Sequence, residues 1–258
     1  MKKKGNRLDI ELVKREFFSS REKAKAYIMS GEVFVNGFPV IKPDKSVLEN
    51  DKIEIKEKNV YASRGAYKIE KAFNDFNFNL FNKRAVDIGI SNGGFTDYIL
   101  RQGAKDVLGI DVNIKQLDYK LANDKRVKVL KLNARFLTKK HIDFKPDLIV
   151  IDVSFISILK ILEPLRFLEG VPIVSLVKPQ FEAGRREVTK GGVISSVEKS
   201  AEIVIGLKKK LESIGYSILN FTKAGIKGKK GNQEYFFLLE YGNKQSISDK
   251  IIEDEIKI

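Results

Sequence analysis

Cysteine is absent from this chain of 258 residues, and histidine occurs once, as His141. The missing thiols exclude disulfides, zinc–thiolate sites, a cysteine nucleophile and base methylation through a cysteine adduct. The lone histidine lies among Lys139, Lys140 and Asp143 in a segment that reads as a loop, a poor place for a general base. Long apolar runs are also missing. None approaches the roughly 18 residues of a membrane span, and no apolar stretch follows the basic start as it would in a signal peptide. A cytoplasmic protein with no membrane partner is therefore expected. What the chain has in excess is positive charge: 48 Lys and Arg against 34 Asp and Glu, a formal net charge of +14. That balance points to a polyanion, with nucleic acid ahead of acidic membranes because no strongly amphipathic basic helix stands out. The length suits one large domain or a small one joined to a medium one, and an apolar share of 43% is enough for a core.

One stretch organises the rest: Ala85-Val-Asp-Ile-Gly-Ile-Ser-Asn-Gly-Gly-Phe-Thr-Asp-Tyr-Ile-Leu100. A short apolar run, a loop with Gly89, Ser91, Gly93 and Gly94, and an amphipathic segment give strand, glycine-rich turn and helix. Gly103 suits the position just past the helix end. Several ligand readings compete. A dinucleotide loop wants a third glycine where Ser91 stands, and a phosphate-gripping loop wants a Gly-Lys-Ser/Thr ending that is absent. Gly89-Ile-Ser91-Asn-Gly93 matches a hydrolase nucleophile elbow, but only His141 could complete it. An adenosylmethionine loop fits better, with Asp87 on the strand before glycines that pass the methionine part of the ligand. A structural turn with no ligand stays open at this point.

Residues 1–60 read as a small unit. Leu8, Leu12 and Val13 form a helical stripe, and Ser19-Ser-Arg-Glu22 reads as a capping box with Ser19 as N-cap. Ala24, Tyr27 and Ile28 give a second apolar face. Val33-Phe-Val35 followed by Asn36-Gly37 predicts a hairpin, and Ile53 and Ile55 a last strand. Arg7-Leu-Asp9, Ser20-Arg21-x-x-Ala24, Ile28-x-x-Gly31-x-Val33-x-Val35-Asn36-Gly37 and Lys42-Pro43 resemble the RNA-binding domain named after ribosomal small-subunit protein S-four. The resemblance implies that the two-helix face docks on folded RNA, with Arg7, Lys14, Arg15, Arg21, Lys23 and Lys25 as contacts. Glu11, Glu16 and Glu22 interleave with them, so a solvated basic face is the alternative.

Beyond a short polar link, Lys56-Glu-Lys-Asn59, Ser63 can cap a helix whose apolar face is Ile69, Ala72, Phe73 and Phe76. Lys68 falls in its first turn, where the helix dipole disfavours a cation. Strands are expected at 106–111, 127–132, 147–152, 171–177, 216–221 and 234–241, nearly continuous in apolar residues like a parallel sheet covered on both faces. Ser196 opens a helix that Gly215 ends. In such a sheet ligands bind at the carboxyl ends of strands, where Asp87, Gly89, Asp111, Asn133, Asp152 and Lys178 fall. Asp111 is placed to accept both hydroxyls of an adenosine ribose. No proline pair follows Asp152, which argues against a base amino group as methyl acceptor. A ribose hydroxyl fits better, because Lys68, Asp152, Lys178 and Glu234 can align a hydroxyl and accept its proton.

Ser63-Arg64-Gly65-x-x-Lys68, Asp87-x-Gly89-x-Ser91-x-Gly93-Gly94-Phe95-Thr96-Asp97, Asp152-Val-Ser-Phe-Ile-Ser157, Leu176-Val-Lys178-Pro-Gln-Phe-Glu-Ala-Gly184 and Gly231-Asn232-x-Glu234 together carry a second resemblance. The whole chain resembles the TlyA (hemolysin A) family of rRNA ribose 2′-O-methyltransferases, whose catalytic domain is FtsJ-like. This implies an α/β fold: a Rossmann-like class I methyltransferase with a mostly parallel seven-stranded sheet, preceded by the small α+β domain. It implies a Lys68-Asp152-Lys178-Glu234 tetrad, with Lys178 nearest the reacting hydroxyl. It further implies S-adenosyl-L-methionine held by Asp87, Gly89, Ser91, Gly93, Gly94, Phe95, Asp111, Asn133, Ala134 and Asp152, and Arg64 as a further RNA contact. Ribosomal RNA or ribosomal subunits are the expected partners, and no metal is expected. Asn92 and Asn113 depart from the family pattern, Lys223-Ala-Gly-Ile226 replaces a Ser-Pro-Ile pattern, and Lys190-Gly191-Gly192 is read as a flap over the site. The expected layout is 1–58 RNA-binding, 59–62 linker, 63–242 catalytic and 243–258 a polar tail. An inactive RNA-binding assembly factor and a membrane-active hemolysin are the rival classes. The tetrad residues oppose the first; the lack of an apolar or amphipathic insertion segment opposes the second.

Overall fold

The computed structural model describes residues 5–55, 61–184, 188–189, 191–194, 196–228, 230–242 and 244–257. The link at 56–59 lies outside the described residues. The chain divides into two compact units, Met1–Val60 and Tyr61–Ile258.

In the first unit, β1 (Asn6–Arg7) leads into α1 (Leu8–Lys14) and α2 (Arg21–Met29), followed by β2 (Val33–Val35), β3 (Phe38–Val40), β4 (Ser46–Val47) and β5 (Ile53–Ile55). Strands β3, β2 and β5 form an antiparallel sheet, and β1 pairs with β4. Leu8, Leu12, Ala24, Ile28 and Val33 are fully buried between helices and sheet. Asn36 and Gly37 both take left-handed φ values, 52° and 85°, as a two-residue hairpin turn requires. The cap of α2 is Ser20, not Ser19: Ser20 is extended and its hydroxyl accepts from Lys23 N at 3.3 Å.

The second unit runs α3 (Gly65–Asp75), β6 (Arg84–Ile88), α4 (Gly94–Arg101), β7 (Asp106–Asp111), α5 (Tyr119–Ala122), β8 (Val127–Lys131), β9 (Leu148–Ile151), α6 (Leu159–Leu162), β10 (Ile173–Val177), α7 (Pro179–Glu182), α8 (Val197–Ser213), β11 (Tyr216–Lys223), β12 (Tyr235–Tyr241) and α9 (Asp249–Lys257). Seven strands form one sheet in the order β11-β12-β10-β9-β6-β7-β8, parallel except for β12. Successive residues feed opposite faces. Val86, Ile88, Ile149 and Ile151 pack with α8 and α9, whereas Ala85, Leu148 and Val150 pack with α3 and α4. Strands β9 and β10 are buried throughout, which explains their unbroken apolar runs. Coverage fails at β8, an edge strand that is largely open to solvent and carries Lys128 and Lys131, residues that discourage edge pairing.

The end of the chain is folded rather than a polar tail. Ile252 and Ile256, one turn apart on α9, are buried in the main core, Lys208 Nζ on α8 reaches Asp249 Oδ1 at 2.8 Å, and Lys223 N donates to Glu255 Oε1 at 3.3 Å. The apolar positions are few and set among charges, so composition masks the periodicity. Replacing Ile252 with alanine removes a fully buried side chain and is expected to cost about 2–5 kcal/mol. Thermal unfolding checks this; an unchanged midpoint would place α9 outside the folded unit.

Candidate active site

Strand β6 ends in a loop where Gly89 (φ 88°), Ser91 (φ 50°) and Gly93 (φ 89°) are all left-handed, and α4 begins at Gly94. A Cβ on Gly89 would stand 2.2 Å from the Asp152 carbonyl oxygen, so glycine there lets the ends of β6 and β9 touch. Gly93 is closed in by Leu121 and Gly94 by the Ser63 hydroxyl. The side on which each of these glycines would carry a Cβ is thus filled by the protein itself. Ser63 stands one residue ahead of the cap of α3, Arg64, and its hydroxyl accepts from Gly65 N at 3.2 Å.

Four carboxylates come to this edge. Asp87 is fully buried; its Oδ2 accepts from the Thr96 hydroxyl at 2.6 Å and its Oδ1 has no hydrogen-bond partner. Burial pushes the Asp87 carboxyl up to about 7, a rise opposed by the Thr96 hydrogen bond and reinforced by the nearby charges of Asp152 and Asp111. Asp111 ends β7 and accepts from Ser91 N at 3.0 Å and Asn113 N at 2.8 Å, fixing the loop while each oxygen keeps a second lone pair. Asn133 accepts from Arg135 N at 3.2 Å in a local turn, with Ala134 buried beside it. Phe95 departs from its expected place in a ligand site: it is core, its ring 5.9 Å from that of Phe236 and against Gly65.

The remaining two acids are paired. Lys178, next after β10, places Nζ 2.6 Å from Asp152 Oδ1, 3.0 Å from Val153 O and 2.9 Å from Ser154 Oγ. Lys68 Nζ lies 2.6 Å from Glu234 Oε2, across 166 residues of sequence. This pair explains a cation in the first turn of α3. Register accounts for the meeting of the segments: Val177 pairs with Tyr235 across β10 and β12, so Lys178 and Glu234 follow and precede partners in the sheet. Gln180 connects them, donating from Nε2 to Glu234 Oε1 at 3.4 Å, while its buried Oε1 lacks a partner. Asn232 is buried and ties the neighbouring segment to this edge, donating to Gly192 O at 2.8 Å and accepting from Ile194 N at 3.0 Å. Lys190, read as part of a flap, lies outside the described residues.

Two site features escaped sequence reasoning. Gln180 is one. The other is Phe155, 90% exposed in a left-handed backbone conformation (φ 63°), its ring 5.0 Å from that of Phe181. An exposed aromatic held where non-glycine residues rarely sit is a signal visible only in coordinates.

Among the residues expected to meet RNA, Arg7, Lys14, Arg21 and Arg64 are exposed. Arg7 and Arg21 both bind the buried Asp9, at 3.0 and 2.9 Å, and hold its carboxyl down at about 2, the Arg7 hydrogen bond first. Lys23 and Lys25 are half-buried on α2. Arg15 is a structural residue instead: its guanidinium binds Glu11 and the carbonyls of Leu48, Glu49 and Asp51.

A doubly covered, mostly parallel sheet with acids and a glycine loop at its carboxyl edge defines a Rossmann-like methyltransferase. The chain belongs to the FtsJ-like methyltransferase family, whose model matches residues 61–241, and an S4 domain matches residues 6–53. It is 43% identical over 234 residues to Hemolysin A of Brachyspira hyodysenteriae, covering 89% of this chain and 97% of that one. It is 36% identical over 255 residues to the 16S/23S rRNA (cytidine-2′-O)-methyltransferase TlyA of Mycobacterium tuberculosis, covering 97% and 95%. A solved hemolysin-named chain of Streptococcus thermophilus superposes with a TM-score of 0.74 at 34% identity, over 98% of this chain and 95% of that one. Among the described residues no helix is long and apolar enough to cross a membrane.

Because Asp87 is protonated more readily folded than unfolded, its contribution to stability is full below its ordinary 3.8 and is lost as pH rises to about 7. The loss is on the order of 4 kcal/mol. Asp87→Asn, which keeps an acceptor for Thr96, is expected to flatten the fall of the melting temperature between pH 4 and 7. Parallel pH profiles of variant and wild type would show Asp87 to be ionised throughout.

Proposed function

We propose that this protein transfers a methyl group from S-adenosyl-L-methionine to a ribose 2′-hydroxyl of ribosomal RNA, with cytidine as the target nucleotide. The observation that carries the reading is the pair of 2.6 Å lysine–carboxylate contacts, Lys178–Asp152 and Lys68–Glu234, at the edge that holds the glycine loop. The relatives named as rRNA cytidine-2′-O-methyltransferases support the substrate class.

The residues fit a cationic cofactor. Burial first, and then the charges of Asp152 and Asp111, raise the proton affinity of Asp87, whose Oδ1 has no hydrogen-bond partner. A positively charged ligand nearby would favour the ionised form of Asp87 through space. Asp87 and the backbone of the loop at 89–94 would hold its methionine part, and Asp111 its ribose hydroxyls. Adenosylmethionine supplies a methyl group on a positively charged sulfur, which needs no acid to leave.

The protein's own share is alignment and proton handling. Lys178 is positioned by three oxygens; to receive the proton of an incoming hydroxyl, its Nζ must first release one of its own protons to solvent, which frees a lone pair. Asp152 compensates the charge of the ammonium so formed. Lys68 and Glu234 hold the ribose, with Gln180 fixing Glu234 relative to Lys178. Phe155, backed by Phe181, offers a face on which the target base can stack, worth about 1–3 kcal/mol for an unpaired base. The small unit supplies RNA affinity through Arg7, Lys14, Arg21, Lys23 and Lys25, and Arg64 acts from the catalytic unit. The expected setting is the cytoplasm, where ribosomal subunits are found.

Methyl-labelled adenosylmethionine with unmodified ribosomal subunits and naked rRNA tests the reading, products being identified by nucleoside mass spectrometry. A 2′-O-methylcytidine is expected, and Lys178→Ala should lower the rate by about 10²–10⁴-fold while retaining cofactor binding. Label on a base would overturn the ribose assignment. Phe155→Ala should raise KM for RNA about 5–100-fold with no change in cofactor affinity, as loss of one stacking contact requires. Equal KM values for variant and wild type would remove Phe155 from base recognition.

A further inference from the structure

The turn at 224–231, between β11 and β12, is rich in glycine and lysine. Two of its glycines sit where no side chain fits. A Cβ on Gly225 would stand 2.6 Å from the Tyr67 carbonyl oxygen, and one on Gly228 would stand 2.6 Å from Glu234 Oε1. The backbone of the turn therefore rests on both sides of the Lys68–Glu234 pair: on the residue before Lys68, and on the Glu234 carboxylate itself.

The turn is also closed upon itself. Gly228 N donates to Asn232 O at 2.9 Å and Gly231 N to Gly228 O at 2.9 Å. Arg64 holds it from the start of α3, donating from Nη2 to Lys227 O at 3.4 Å. Arg64, Lys227 and Lys230 are all exposed, so three cations lie on or against a turn whose backbone touches the Lys68–Glu234 pair. Lys230 leans over the segment carrying Gly192, its Nζ 3.1 Å from where a Cβ on Gly192 would be.

We propose that this turn is a phosphate-docking element: Lys227 and Lys230, with Arg64, take the backbone phosphates that flank the target nucleotide. The proposal rests on the ribose-methylation reading and names how that same site takes hold of its strand. The physical reasoning is local. The phosphates on either side of a ribose are the charged groups nearest its 2′-hydroxyl, and they carry no sequence information, so contacts to them set register. Ammonium groups suit that task as point charges, and Arg64 adds a planar fork. Glycine at 225 and 228 brings the docking backbone into contact with the pair that would hold the sugar. A phosphate seated on Lys227 and Lys230 is thereby tied to a backbone that lies against Glu234, with only the two lysine stems between.

The test uses the full chain and equilibrium binding to 16S and 23S rRNA over a series of salt concentrations, beside the methyl-transfer assay. The double variant Lys227→Ala/Lys230→Ala is expected to bind rRNA ~10-fold more weakly near physiological salt, with the slope of log affinity against log salt shallower by about 1.4–1.8, as loss of two phosphate contacts requires. Lys227→Arg/Lys230→Arg is expected to restore both. Adenosylmethionine affinity and the melting temperature, measured on the same samples, report whether the fold is intact. Unchanged rRNA affinity and slope in the alanine variant would overturn the proposal, as would a loss of affinity that the arginine variant does not restore. Failure of the ribose-methylation reading shows separately, as wild-type protein that binds rRNA but yields no 2′-O-methyl nucleoside.

Discussion

The edge of the large sheet is a problem in charge. Asp87, Asp111, Asp152 and Glu234 gather there, two of them buried and two half-buried, and a buried carboxylate costs several kcal/mol unless something answers it. The structure gives three kinds of answer. Asp152 and Glu234 each take a lysine at 2.6 Å. Asp111 takes two backbone N–H groups. Asp87 takes one hydroxyl, keeps an unpartnered oxygen, and has its proton affinity raised. The carboxylates at Asp152 and Glu234 are thus matched by cations, whereas Asp87 and Asp111 are not. On the proposed reading, a cationic methyl donor would sit on the unmatched side and a neutral hydroxyl acceptor on the matched one.

Topology determines which groups can meet. In an all-parallel sheet only carboxyl ends reach the ligand edge. Glu234 arrives by a different route: β12 runs antiparallel between β10 and β11, so its amino end lies at that edge. One reversed strand therefore brings a carboxylate from late in the chain against Lys68 near the start of the unit. The same reversal produces the tight turn at 224–231, whose glycines let it lie on the pair it helps to form. The antiparallel strand, an apparent irregularity of the sheet, is what closes the site.

Much of this was legible beforehand for identifiable reasons. Strands such as Leu148–Ile151 and Ile173–Val177 are buried on both faces, so their apolar runs are unbroken and their ends locate Asp152 and Lys178. The Asn36-Gly37 hairpin is written in two residues that tolerate left-handed backbone. Other features depend on contacts that no local pattern carries. Phe95 follows a glycine pair and reads as a ligand contact, yet it packs on Phe236. Arg15 has the same chemistry as Arg21, and only the carbonyls of residues 48–51 separate a structural guanidinium from an available one. Helix α9 hides two core isoleucines among charges. Which lysine pairs with which acid follows from the order of strands, and that order is not written in any one segment.

The small unit uses the same device for a different end. Asp9 is wholly buried, yet two arginines reach it, and neither of them is buried with it: Arg7 and Arg21 remain about half exposed. A carboxylate in that position costs the fold little, because two charge-assisted contacts offset its desolvation. What it provides is orientation. Each guanidinium loses its freedom to Asp9 when the protein folds, so less entropy remains to be lost when its outward N–H groups meet a phosphate. Removing the carboxylate would leave both positive charges in place and their geometry free. On the proposed reading, RNA affinity in this unit would therefore depend on an acid that never touches RNA.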